Sequence, residues 1–142
     1  MTENASNTYK LTLHIHHPTV PASEIEAAID LPATRSRSAG EPTGGKSAEG
    51  IPFTRKENSV IFSLYKGSVK DDDIYVCDLI KIYLSKIDMD FTRGIVKSGG
   101  SCWFSLGIFA YEEFSFGLDL EVTELMSRCG IYINCFVYGD PD

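Results

Sequence analysis

A chain of 142 residues and 15.7 kDa has room for one hydrophobic core, and 43% hydrophobic with 23% charged residues is the composition of a soluble globule, not of a disordered chain. No apolar run approaches the ~18–20 residues of a membrane-spanning helix, and Met1 to Asn7 lacks the basic-then-apolar order of a secretory leader. The formal charge is −7, and the excess sits late: residues 1–67 carry seven acids and seven bases, residues 68–142 thirteen acids and six bases. Nucleic-acid binding is disfavoured, because phosphate backbones reward clustered Lys and Arg and no such cluster is visible. An acidic face would suit a basic protein partner.

After a polar tail at 1–8, Leu11, Leu13 and Ile15 alternate with Thr12, His14 and His16, which predicts a half-buried strand with the histidines on its polar face. Pro18 and Pro21 end it. A short helix is expected over Ala22 to Ile29, with Ser23 as a candidate cap and Pro32 as its stop. Residues 32–58 read as an irregular Gly- and Pro-rich stretch that can add an edge strand at Ile51 to Thr54. Val60, Phe62 and Leu64 mark a second strand.

Asp71-Asp72-Asp73 is expected to open the longest helix, since carboxylates suit the positive end of the dipole. Ile74, Cys77, Ile80, Leu84 and Ile87 give its apolar stripe, and an end near Asp88 is expected. After Gly99-Gly100 a third strand runs from Ser101 to Ala110, with Cys102, Phe104, Leu106 and Ile108 on one face and Trp103, Gly107 and Phe109 on the other. Phe114 to Leu118 reads as a short strand or arm. A helix over 120–129 ends at Gly130, a residue suited to the left-handed C′ position, and Ile131 to Tyr138 is the last strand. The expectation is one α+β domain over 1–142: a mainly antiparallel sheet with three helices packed on it, in the manner of a ferredoxin-like plait. The expected core is Leu13, Ile15, Phe62, Leu64, Ile80, Leu84, Phe104, Leu106, Leu125, Met126 and Ile133.

Gly40-Glu41-Pro42-Thr43-Gly44-Gly45-Lys46-Ser47 matches the phosphate-binding pattern G-x-x-x-x-G-K-[ST]. That loop works between a buried strand and a helix. Here a polar stretch precedes it and Pro52 follows closely, so an accidental match is expected. His14 and His16 share a strand face and could hold a metal only with a third ligand, so no metal and no cofactor is expected. Cys77, Cys102, Cys129 and Cys135 contain no Cys-x-x-Cys pair and read as reduced structural thiols of a cytoplasmic protein. Glu112-Glu113 reads as a solvated connection. The aromatic residues from Trp103 to Phe116 read mostly as core, and bases interleaved with them, as single-strand binding would need, are not seen along the sequence.

Several segments carry a family resemblance: Leu31-Pro32-Ala33-Thr34-Arg35-Ser36, Trp103-Phe104-Ser105-Leu106-Gly107-Ile108-Phe109, Gly117-Leu118-Asp119-Leu120, and Gly130-Ile131 to Val137-Tyr138. Together they resemble the bacterial family known as domain of unknown function 4279, from about Tyr9 to Tyr138. The resemblance implies a small cytoplasmic α+β domain, akin to the immunity partners of bacterial toxins, and carries over no catalytic residue. The expected function is therefore a non-enzymatic, monomeric or dimeric inhibitor that occludes a basic toxin without nucleic acid or membrane. Its contacts would come from Asp71, Asp72, Asp73, Asp88, Asp90, Glu112 and Glu113, with Tyr111 as aromatic anchor. The alternative is a small-molecule or metal-binding domain, or an enzyme, using the His14/His16 face or the 40–47 loop.

Overall fold

In β1 (Thr8–His17) Leu11, Leu13 and Ile15 are fully buried, while Thr12, His14 and His16 keep part of their surface. This is the period-two split of a strand with one dry face. The same split runs through β5 (Asn58–Ser68), where Val60 and Phe62 are buried, and β6 (Ser101–Phe109), where Cys102, Phe104, Leu106 and Ile108 are buried. The computed structural model describes residues 7–68, 76–109 and 116–138. With β2 (Ala33–Arg37) and β7 (Ile131–Tyr138) these strands form one sheet in the order β2-β5-β1-β6-β7. The β2–β5, β5–β1 and β1–β6 pairs are antiparallel, and β6–β7 is parallel.

Helix α1 (Ala22–Ala28) connects β1 to β2, and β5 inserts between those two strands, which is a split β-α-β unit. At the other end β6, α4 (Leu120–Cys129) and β7 form an ordinary parallel β-α-β unit. That one parallel pair makes the sheet mixed within the mainly antiparallel arrangement expected, and with β7 paired parallel at the edge beside β6 the ferredoxin-like plait is not confirmed.

The helices line one face of the sheet. Helix α1 packs on β2 and β5, and α4 packs on β7 and against both α2 (Val76–Leu84) and α3 (Met89–Lys97), the last of which lies on β6. Ile25, Ile80, Ile95 and Val122 bring the helices into one core with Leu13, Phe62, Phe104 and Leu106. Of the expected core, Leu64, Leu125 and Ile133 are only half-buried. Leu64 is displaced by a bulge: Thr12 pairs with Ser63 but Leu11 with Tyr65. The Tyr83 hydroxyl donates to the Leu64 carbonyl there.

Three expectations fail for local reasons. First, the described part of the expected 71–87 helix ends at Leu84, and a separate helix, α3, follows, so four helices are described where three were expected. Asp88 does not end a helix but starts one, its Oδ1 accepting from the amides of Asp90 (3.0 Å) and Phe91 (3.2 Å). Second, the 32–58 stretch is ordered. It supplies β2 to the main sheet and a separate hairpin of β3 (Pro42–Lys46) and β4 (Pro52–Thr54). Third, α1 has no side-chain cap; it begins after Pro21, with Ser23 already inside. The helix over 120–129 is as expected, and Gly130 is left-handed (φ 71°) at its end.

Candidate functional site: the open face of the sheet

Opposite the helices, the register sorts the uncovered face into rows. In one row Ile61, His14, Trp103 and Tyr132 lie side by side across β5, β1, β6 and β7. Their rings form a ladder: His14 stacks on Trp103 at 5.0 Å between centroids, and Trp103 on Tyr132 at 5.6 Å. His16 leans on the same indole at 4.7 Å. The next row is small and polar: Ser63, Thr12, Ser105 and Asn134. Lys66, Lys10, Gly107 and Phe136 follow, and the stacked pair Phe109–Tyr138 (4.8 Å) closes the far side. Between the two ring rows lies a shallow trough of about 490 Å³, reaching Thr34 and Arg35 of β2. A second depression, holding Lys66, adjoins it through the shared Lys10 and Ser63.

The rings are present because aromatic and β-branched neighbours stabilise adjacent strands. Yet Tyr132, Phe136 and Tyr138 stay about half exposed, at 50%, 48% and 49%. The floor is low because Gly107 has no side chain: the nearest atoms to a Cβ there would be the Tyr138 ring at 3.6 Å and Lys10 O at 3.9 Å. Thr12 Oγ1 lies 3.0 Å from His14 Nε2. Burial against the indole holds His14 below the usual imidazole range, and the neighbouring His16 adds to this. His16 is also lowered. Its Nδ1 lies 3.7 Å from a Glu57 oxygen, which favours the charged ring, but desolvation outweighs that partner.

The sequence-derived sites fare differently. Asp71, Asp72, Asp73, Tyr111, Glu112 and Glu113 lie outside the described residues. Asp88 is occupied as the cap of α3, and Asp90 is exposed in its first turn, both on the helical layer and not on the open face. His14 and His16 do share a face, half-buried against Trp103 where a solvated strand face was expected. Among the described residues no group of three His, Cys, Asp or Glu gathers as a metal site would require. The 40–47 segment is one arm of the hairpin, with Gly40 and Gly44 at positive φ and Ser47 N donating to Ile51 O at 2.8 Å. It enters no helix, so its amides are not gathered as a phosphate loop requires. His17 is buried and structural: its Nδ1 accepts from the amides of Thr19 (3.0 Å) and Val20 (2.9 Å), so Nε2 carries the proton toward Ser98 Oγ at 2.8 Å.

The bases thought to be missing beside the aromatic residues are supplied from elsewhere in the chain. Lys10 comes from β1, Lys66 from β5 and Arg35 from the stretch expected to be irregular. The available signal was parity: Lys10 shares its strand face with His14 and His16, and Trp103 shares one with Gly107 and Phe109. No family model, curated protein or solved structure matches the chain.

Proposed function

We propose that this chain is a binding domain that takes its ligand on the open face of the sheet. The observation that carries the reading is one uncovered face combining two ring rows, a floor of hydroxyls and cations at its margin. Aromatic side chains with a few precisely placed polar groups are the usual lining of ligand sites. Binding is favoured over nucleophilic catalysis by Cys102, Cys129 or Cys135 because burial holds these three thiols protonated. Burial, with Cys129 adding to it, pushes Cys102 up to about 12, and burial raises Cys129 and Cys135 as well. The four free thiols suit a reducing, cytoplasmic setting. No described helix is long and apolar enough to cross a membrane. A bacterial toxin inhibitor is the form of this reading in which the ligand is a protein. The described acids expected to serve it, Asp88 and Asp90, lie away from the open face, so the rings and cations are the better support.

The test is titration of isotope-labelled protein with a panel of small aromatic anions, followed by amide chemical shifts. Shifts clustered at Lys10, Thr12, Ser105 and Gly107, and lost when Gly107→Trp fills the trough, are expected. Shifts confined to the helical side would remove the reading.

A further inference from the structure

Lys10 and Lys66 are directly opposite one another on antiparallel strands. Like charges in that position destabilise a sheet, and among the described residues neither lysine has a carboxylate partner, nor does Arg35. The charges of the described strands and helices are also segregated. Every ionic Asp, Glu, Lys or Arg side chain within the five strands of the main sheet is basic: Lys10, Arg35, Arg37 and Lys66. The four described helices carry six acids and four bases. In a protein of net charge −7, the main-sheet strands thus carry only basic ionic side chains among the described residues, with Glu57 beside His16 just outside them. The repulsion costs stability in the free protein and is relieved when an anion lies between the lysines.

We infer that the trough binds single-stranded nucleic acid, its phosphates on Lys10, Lys66 and Arg35 and its bases against the ring rows. This rests on the open-face reading and names its ligand. The trough crosses the strands, which are spaced about 4.8 Å apart, so its floor extends for roughly 19 Å. It is long, shallow and bordered by rings, which suits a chain whose bases can be splayed and stacked. The floor hydroxyls of Thr12, Ser63 and Ser105 offer donors and acceptors to base edges. A duplex fits poorly, because a shallow face offers no helix or ribbon to enter a groove. A peptide fits poorly too, because extended peptides add at a sheet edge, whereas on the face the main-chain groups already bond within the sheet.

The experiment is fluorescence anisotropy of a labelled ten-nucleotide single strand, as RNA and as DNA, and of its duplex, at 50 and 200 mM salt. At least one single strand is expected to bind at 50 mM. With three phosphates neutralised at a slope of about −0.7 each, its affinity falls roughly twentyfold by 200 mM. The duplex binds at least tenfold more weakly. Lys10→Ala and Lys66→Ala each lower the salt slope by about 0.7 and, by removing the cross-strand repulsion, leave the free protein melting no lower than the wild type. Tyr138→Ala weakens binding roughly five- to hundredfold with an unchanged salt slope. Lys46→Ala, in the separate hairpin, binds as the wild type does. Absence of binding, equal binding of duplex, or indifference to Lys10→Ala, Lys66→Ala and Tyr138→Ala would overturn the inference. If oligonucleotides fail while the aromatic anions still shift the Lys10 and Gly107 amides, the nucleic-acid assignment falls and the open-face reading stands. If neither ligand shifts them, both fall.

Discussion

Gly100→Ala should be among the most damaging one-carbon changes available to this protein. Gly100 joins the end of α3 to the start of β6, its amide donating to Ile95 O at 2.8 Å. A Cβ at this position would sit 2.4 Å from the His16 carbonyl oxygen, 2.7 Å from Ile95 Cγ2 and 2.8 Å from His17 Cδ2. None of these can yield easily. The first is backbone in a central strand, the second belongs to a buried side chain, and the third to a ring fixed by hydrogen bonds at both nitrogens. Overpacking of this kind costs about 1–3 kcal/mol, and with three fixed neighbours the upper end, about 3 kcal/mol, is expected. For a domain of this size that lowers the melting temperature by roughly 10 °C. The control is Gly94→Ala in α3, where nothing lies within 4 Å of a new Cβ and the substitution should stabilise by about 0.5–1 kcal/mol. Thermal melts by circular dichroism decide it. Gly100→Ala melting within 1 °C of wild type, or below it by no more than Gly94→Ala does, would refute the packing argument. Because the clash displaces His16, it should also loosen the His16–Trp103 contact at the end of the ring ladder, seen as a change in tryptophan fluorescence.

Leu106→Ala, at a fully buried position of β6, should cost about 2–5 kcal/mol in urea denaturation; a loss under ~0.5 kcal/mol would contradict its burial. Asp88→Ala removes the acceptor of two α3 amides and should cost about 1 kcal/mol, whereas Asp90→Ala, exposed in the first turn, should cost less. His14 and His16 are both held below the unfolded value near 6.5, so the unfolded chain takes up protons first. Their contribution is therefore complete above about pH 6.5 and is lost as the pH falls below it. Melting temperatures at pH 7.5 and 5 should show a smaller drop for a His14→Gln, His16→Gln variant than for wild type, and an equal drop would count against the shifts. Lys46→Ala should leave the melting temperature within 1 °C of wild type, since the side chain is exposed on the hairpin.

What could be read from the sequence was whatever depends on neighbours along the chain. The parity of Leu11, Leu13 and Ile15 against Thr12, His14 and His16 marked the strand and assigned its two faces, because side-chain direction alternates locally. Gly130 marked a helix end for the same kind of reason: its φ of 71° is a property of one residue. Asp88 shows where local reading stops, since an acid after an apolar stripe can close one helix or cap the next. Only the approach of the α3 amides to Oδ1 decided for the cap. The open face was further out of reach. That Lys10 opposes Lys66, 56 positions along the chain, depends on β5 entering between β1 and β2 and on the bulge at Leu64 that sets which residues pair. Arg35 reaches the trough only because β2 pairs with β5. The composition recorded an acidic protein, but charge adds over the chain without regard to position. Burying one face of the sheet under helices is what separated the bases of the strands from the acids of the helices and left rings and cations together in solvent.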